Sequence, residues 1–216
     1  MASATVLFLD LDGTLIESSV GITRCAAYAL ERMGQPVPDQ AALRRWIGPA
    51  LRTSFAPVFD GDADQVEQAV ALYRERFDTL GWQEHTVYDG IAGVVAALKA
   101  RGHRLAVVTA KNEPHARRIV AHLPFADCFE DVIGATPDGS RSHKPELIAE
   151  ALQRLSLHPG DCLMIGDRHL DIEGAAHHGM RSIGVLWGFG GEAELRAAGA
   201  GNLARQPADL LALTAA

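Results

Sequence analysis

Reactive side chains follow short apolar runs at several separate points of this chain. Val6-Leu7-Phe8-Leu9 leads into Asp10-Leu11-Asp12-Gly13-Thr14, and Leu105-Ala106-Val107-Val108 leads into Thr109-Ala110-Lys111-Asn112. Leu163-Met164-Ile165 leads into Gly166-Asp167-Arg168-His169-Leu170-Asp171, and Ser142-His143-Lys144-Pro145 opens a helical pattern. If the runs are strands of an open parallel sheet, their carboxyl ends form the ligand-binding edge. Asp10, Asp12, Asp167 and Asp171 then meet one hydroxyl, Thr109, and one lysine, Lys144. Core stability needs none of these groups there, and clustered carboxylates repel one another. A hard divalent cation such as Mg²⁺ relieves that repulsion, while a lysine and a hydroxyl near backbone amides suit a phosphoryl group. Asp10 and Asp12 share a face if the strand runs on through both. Gly13 permits a turn instead, which lets one acid attack while the other handles protons.

The elements that must position these groups are legible in outline. The runs above, with Val132-Ile133 and Ile183-Gly184-Val185-Leu186, predict buried strands, because parallel strands covered on both faces read as continuous apolar stretches. Helical patterns over 91–101, 114–122, 145–156 and 171–178 separate them, the first stopped by Gly102 and the last by Gly179. Pro114 and Pro145 occupy first-turn positions. This alternation predicts an α/β core, a Rossmann-like parallel sheet with helices on both faces. Residues 16–86 break it. They carry helical periodicity and no convincing strand: one helix from Val20 to Met33, a second after Asp39 with Ala41, Leu43, Trp46 and Ile47 on one face, a third after Pro49, and a long one from Asp64 to Leu80. The expected organisation is a core of residues 1–15 and 87–216 with an all-helical cap, 16–86, inserted after strand 1. The stretch from Glu192 to Ala216 reads as short peripheral helices.

Composition narrows the function. The chain has 216 residues, 48% hydrophobic and 22% charged, with 27 acids against 20 bases. A net charge of −7 disfavours a nucleic acid polymer as partner. No apolar run approaches a membrane span of about 20 residues, and Met1-Ala2-Ser3-Ala4 carries no basic leader. Cys25, Cys128 and Cys162 are widely spaced and form no CxxC pair, so a reduced, cytoplasmic protein is expected. Only Lys99, Lys111 and Lys144 are lysines. A lysine at the start of a helix, where anions are favoured, singles out Lys144. Gly188-Phe189-Gly190-Gly191-Glu192-Ala193 matches a dinucleotide-binding G-x-G-x-x-A, but too little chain follows to complete that fold, and a strand-exit loop near the site is expected instead. His169, His177 and His178 read as surface or supporting groups, and His143 as solvated.

Together, Asp10-Leu11-Asp12-Gly13-Thr14, Thr109, Lys144 and Gly166-Asp167-x-x-x-Asp171 resemble, in order and context, the four motifs of the haloacid dehalogenase (HAD) superfamily. The helical insert resembles that family's subclass I cap. Ile47-Gly48-Pro49 and residues 182–188 are similar to phosphoglycolate-phosphatase-like members. The resemblance implies Asp10 as nucleophile forming an aspartyl-phosphate, and Asp12 as general acid and then general base. It implies Mg²⁺ held by Asp10, the backbone carbonyl of Asp12, and Asp167, with Asp171 acting directly or through water. Thr109 and Lys144 would engage the phosphoryl group, beside Gly13 and Ala110. In the insert, Arg45 and Gly48 are candidate substrate contacts, because Arg44, Arg45 and Arg52 flank Trp46-Ile47-Gly48-Pro49. Trp46, Phe55 and Tyr88 are candidate stacking groups. The expected activity is Mg²⁺-dependent hydrolysis of a small-molecule phosphate ester, phosphoglycolate-like, by a monomer or homodimer. The alternatives are a 5′-nucleotidase, an aryl- or tyrosine-phosphate phosphatase, a phosphomutase, or a non-catalytic binding protein of the same fold. The insert contains no lysine, which disfavours Schiff-base phosphonate chemistry.

Overall fold

A computed structural model describes residues 5–215. Along these the chain forms β1 (Val6–Leu9), β2 (Ile16–Glu17), α1 (Ser19–Arg32), α2 (Gln40–Arg44), α3 (Leu51–Phe55) and α4 (Ala63–Thr79). It continues through β3 (Thr86–Val87), α5 (Ile91–Ala100), β4 (Arg104–Asn112), α6 (Glu113–Val120), β5 (Phe129–Ala135) and α7 (Lys144–Arg154). Last come β6 (Cys162–Gly166), α8 (His169–His177), β7 (Arg181–Val185), α9 (Glu192–Ala197), β8 (Asn202–Ala204) and α10 (Leu210–Leu213).

Six strands form one parallel sheet in the order β5-β4-β1-β6-β7-β8. Side chains alternate between its faces. Leu7, Leu9, Leu105, Val107, Leu163 and Ile165 enter one core, while Val6, Phe8, Ala106, Val108, Cys162 and Met164 enter the other beside Leu147, Ile148 and Ala151 of α7. Burial on both faces explains the continuous apolar runs. Register then aims the chemistry. Leu9 pairs with Val107 on one side and Ile165 on the other, so Asp10 leaves the central strand level with the exits of β4 and β6.

The segment between β2 and β3 is helical, as its periodicity predicts. Ile22, Cys25, Ala26, Ala29 and Leu30 of α1 are buried, as are Val66, Ala69, Val70, Tyr73 and Phe77 of α4. Both sets follow the three-and-four spacing of a helix stripe, and the two helices pack together. Asp39 caps α2 by accepting from Ala42 N at 2.7 Å, and Asp62 caps α4 by accepting from Gln65 N at 3.1 Å. Three expectations need correction. The insert is not wholly helical: β2 and β3 pair antiparallel, Ile16 with Val87 and Glu17 with Thr86, where the chain enters and leaves it. Two residues are too few to show a period. The C-terminal stretch contributes β8, a sixth strand paired to β7, whose three residues Asn202-Leu203-Ala204 hold too little apolar sequence to stand out. Ala41 is exposed rather than on the buried face of Leu43 and Ile47. Among the described residues no helix is long and apolar enough to cross a membrane.

Candidate active site

The exits of β1 and β6 and the starts of α7 and α8 meet in a buried cluster. One carboxylate oxygen from each of Asp10, Asp167 and Asp171 lies within 4.8 Å of the others. Lys144 reaches in from the first turn of α7: its Nζ is 3.1 Å from Asp10 Oδ1 and 2.7 Å from Asp171 Oδ1, and it donates to the Val108 carbonyl at 3.0 Å. That resolves the oddity of a lysine at a helix start, because its charge is used across the sheet edge and not on α7. Three carboxylates thus face one ammonium. Asp10 Oδ1 and Asp171 Oδ1 are buried and share that single ammonium, so the cluster keeps a surplus of negative charge that calls for a further positive partner. A hard divalent cation matches both the oxygen donor set and the surplus negative charge.

The electrostatics follow from this arrangement. Burial pushes the Asp10 carboxyl up to about 6, with Asp171 and Asp12 adding to the rise and Lys144 opposing it. Burial, reinforced by Asp171 and Asp10, holds Asp167 well above the ordinary carboxylate range. For Lys144 burial works against the charge, but Asp10 and Asp171 outweigh it and raise the ammonium above the usual lysine range.

Backbone approaches the cluster closely. Phe189 N donates to Asp167 Oδ2 at 2.7 Å. A Cβ on Gly13 would lie 2.2 Å from Asp167 Oδ2, one on Gly188 2.4 Å from Asp167 Cβ, and one on Gly190 2.0 Å from the Asp167 carbonyl oxygen. Gly188 and Gly190 of the dinucleotide-like motif therefore pack against Asp167, one on its side chain and the other on its main-chain oxygen, which explains them without any nucleotide fold. Gly166 makes the same room for Asp171, and Gly174 for Lys144. Asp171 also accepts from Arg168 N at 3.0 Å and so caps α8.

The Asp12 side chain turns away from the carboxylate cluster. Its two oxygens accept from Lys111 Nζ at 3.0 and 2.8 Å, so any part it takes in holding a cation falls to its main-chain carbonyl. Lys111 itself escaped the sequence reading, although it is one of only three lysines and stands at a strand exit. Asp10 and Asp12 face a pocket that also takes in Thr109, Ala110, Lys111, Trp46, Ile47, Gly48, Tyr73, Phe77, Arg52 and Arg74. Of the three clustered carboxylates only Asp10 lines it. Thr109 is buried and its Oγ1 accepts from Lys111 N at 3.3 Å.

The insert residues fall out differently from expectation. Gly48 lines the pocket, but Arg45 is exposed and lies outside its lining. It follows the last residue of α2, and the turn there points it to solvent. Arg52 lines the pocket as a member of the flanking arginines, and Arg74 joins it from α4; their guanidinium groups donate to the same Pro137 carbonyl at 3.2 and 2.8 Å. Arg74 lies below the usual arginine range, through burial and then the like charge of Arg52. Trp46 lines the pocket with Phe55 buried edge-on behind it at 5.2 Å, whereas Tyr88 does not reach it. His143 is exposed, and His169 pairs with Glu194 at 2.9 Å. The three cysteines are unpaired.

Comparison with known proteins agrees with this geometry. The family model described as haloacid dehalogenase-like hydrolase matches residues 6–185. A 5′-nucleotidase of Pseudomonas aeruginosa is 44% identical over 191 residues, spanning 88% of this chain and 86% of that protein. Tyrosine-protein kinase PtkA of Mycobacterium tuberculosis is 38% identical over 188 residues, covering 87% of this chain and 64% of the kinase. The crystal structure of a predicted phosphatase from Clostridium acetobutylicum superposes with a TM-score of 0.92 at 36% identity, covering 96% of this chain and 97% of the other. The chain belongs to the haloacid dehalogenase-like hydrolase family and is one of its phosphatases.

Proposed function

We propose that this protein hydrolyses a small organic phosphate monoester through an aspartyl-phosphate on Asp10, with Mg²⁺ as cofactor and residues 16–86 acting as a cap over residues 1–15 and 87–216. The observation that carries this reading is the buried cluster of Asp10, Asp167 and Asp171 against Lys144, with Asp10 alone opening into a pocket whose wall holds Asp12. Asp10, Asp167, Asp171 and the main-chain carbonyl of Asp12 would hold the cation. Bound there, Mg²⁺ supplies positive charge between an anionic nucleophile and an anionic substrate. Asp10 attacks phosphorus and displaces the leaving oxygen, which takes its proton from Asp12. Asp12 then removes a proton from water as that water attacks phosphorus, releasing inorganic phosphate and restoring Asp10. Thr109 donates to the transferring phosphoryl oxygens. Lys144 offsets charge on Asp10 and the phosphoryl group, and Lys111 orients Asp12. The aromatic wall of Trp46, Tyr73 and Phe77 excludes water.

Two classes of leaving group fit this pocket. Arg74, beside an Arg52 that Glu67 already holds at 2.8 Å, suits a short acidic one, as in phosphoglycolate. Flat Trp46, Tyr73 and Phe77 favour a second reading, a nucleoside or aryl leaving group, the nucleoside being in line with the name of the Pseudomonas relative. Three unpaired cysteines fit a reducing, cytoplasmic setting. The test is release of p-nitrophenol from p-nitrophenyl phosphate with Mg²⁺ and with chelator, followed by phosphoglycolate, nucleoside 5′-monophosphates and phosphotyrosine. Release that depends on Mg²⁺ is expected; equal rates in chelator, or none in either condition, contradict the reading.

Metal and pH are linked here with a definite sign. A carboxyl raised from 3.8 to about 6 on folding binds its proton more tightly in the folded state. Its contribution to stability is complete below the unfolded value and is lost as pH rises through about 6. Mg²⁺ requires the ionised form and removes that loss. The gap in melting temperature between Mg²⁺-loaded and chelated protein therefore widens from pH 5 to pH 7. A gap constant across that range in paired thermal melts contradicts the assignment of Asp10 as a ligand.

A further inference from the structure

Arg168 follows Asp167 directly, is nearly buried, and has no part in the chemistry above. Its guanidinium joins two distant segments. Nε donates to Glu194 Oε1 on α9 at 2.8 Å, and Nη1 donates to the main-chain oxygen of Ile47 in the helical insert. Glu194 is itself fixed, since the same oxygen accepts from His169 N at 2.9 Å and contacts His169 Nδ1 at 2.9 Å. Gly48 folds over the arginine with φ +107°, and a Cβ there would lie 2.8 Å from Arg168 Cγ and 3.1 Å from Nη1. Glycine is thus required at 48 both by backbone conformation and by this close approach. The residues so held, Trp46, Ile47, Gly48 and Pro49, are one wall of the pocket. Nearby, Arg44 lies over the Phe189 ring at 5.3 Å, and Phe189 N is the donor to Asp167. On the pocket's other side the insert is tied to the core by Arg52 and Arg74 on the Pro137 carbonyl.

We propose that Arg168 is a positioning residue that fixes the 46–49 turn of the insert against the core, so that the wall facing the leaving group is set by a core side chain. Its consequence for substrate choice rests on the reading of the pocket as the phosphate-ester site. The chemistry of the contacts explains why this is an arginine. Two acceptors in different directions need the planar fork, which a lysine's single ammonium on a flexible stem does not reproduce. The charge is neutralised by Glu194, so burial is affordable, while the contact to the insert is to a neutral carbonyl. Loss of the bond lowers the fraction of molecules with the wall in place, and apparent affinity falls by that fraction.

The test pairs hydrogen exchange with steady-state kinetics on Arg168→Ala, with Glu194→Gln as a second, milder variant that keeps Arg168 but loosens its bracket. In Arg168→Ala the amides of residues 44–50 exchange roughly tenfold faster, while those of α5 are unchanged. With p-nitrophenyl phosphate, KM rises roughly tenfold and kcat stays within about twofold. Glu194→Gln shows the same pattern at smaller amplitude, and Arg168→Lys restores little of it. Unchanged exchange at 44–50 overturns the proposal. So does exchange raised equally in α5, which marks a general loss of stability, or a fall in kcat with KM unmoved. Should the wild-type protein hydrolyse no phosphate ester, the phosphatase reading fails, and the exchange pattern still decides the role of Arg168 on its own.

Discussion

Asp10→Asn abolishes phosphomonoester turnover, by about 10⁴-fold or more, while the protein stays folded. The two halves of this result come from different properties of one side chain. Asp10 is the clustered carboxylate that lines the pocket, so its oxygen is the one a substrate phosphorus can reach, and an amide in its place neither attacks phosphorus nor forms the acyl phosphate. The fold tolerates the change because asparagine is nearly isosteric and removes one of the two negative charges that Lys144 pairs with. In chelated protein the melting temperature accordingly stays level or rises. Steady-state assays and thermal melts on the same preparation check both halves. Turnover near the wild-type rate removes the nucleophile assignment, and an unfolded variant shows that Asp10 is a structural ion-pair partner.

Lys144→Met has the largest expected effect on stability. Methionine fills much of the same volume beside Gly174, where a Cβ would lie 2.7 Å from Lys144 Cγ, but it leaves Asp10 and Asp171 without their ammonium partner. Removing one partner from a buried charge cluster costs about 3–5 kcal/mol, so chelated Lys144→Met melts well below the wild type. Saturating Mg²⁺ recovers part of that loss. Turnover falls about 10²–10³-fold, the scale for losing one group that stabilises charge in the transition state. Denaturant titration with and without Mg²⁺ measures the first effect. A variant as stable as the wild type in chelator contradicts the picture of an undercompensated acidic cluster.

Which residues were legible in the sequence follows from how each one signals. Asp10, Thr109 and Asp167 each end an apolar run, and a parallel sheet gathers strand exits on one edge. Lys144 gave itself away by standing at a helix start where its charge is unfavourable. Lys111 and Arg168 were not legible in their roles. Each acts through a partner remote in sequence, Asp12 or Ile47, and a pairing across more than ninety residues leaves no local pattern. The glycines at 188 and 190 were visible as a motif, but the reason for them, the approach of backbone to Asp167, exists only in three dimensions. Arg45 misled because three arginines around one turn look equivalent in sequence, whereas the end of α2 sends Arg45 outward and α3 carries Arg52 to the pocket. The β2–β3 ribbon and β8 are too short for periodicity to register.

The most direct test of the central claim is acid quenching of the protein during turnover of p-nitrophenyl phosphate with Mg²⁺, followed by peptide mass spectrometry. The account predicts one added phosphoryl group on the peptide that carries Asp10, absent in chelator and absent in Asp10→Asn. Turnover that proceeds with no phosphorylated peptide, or with the phosphoryl group on a different residue, contradicts it.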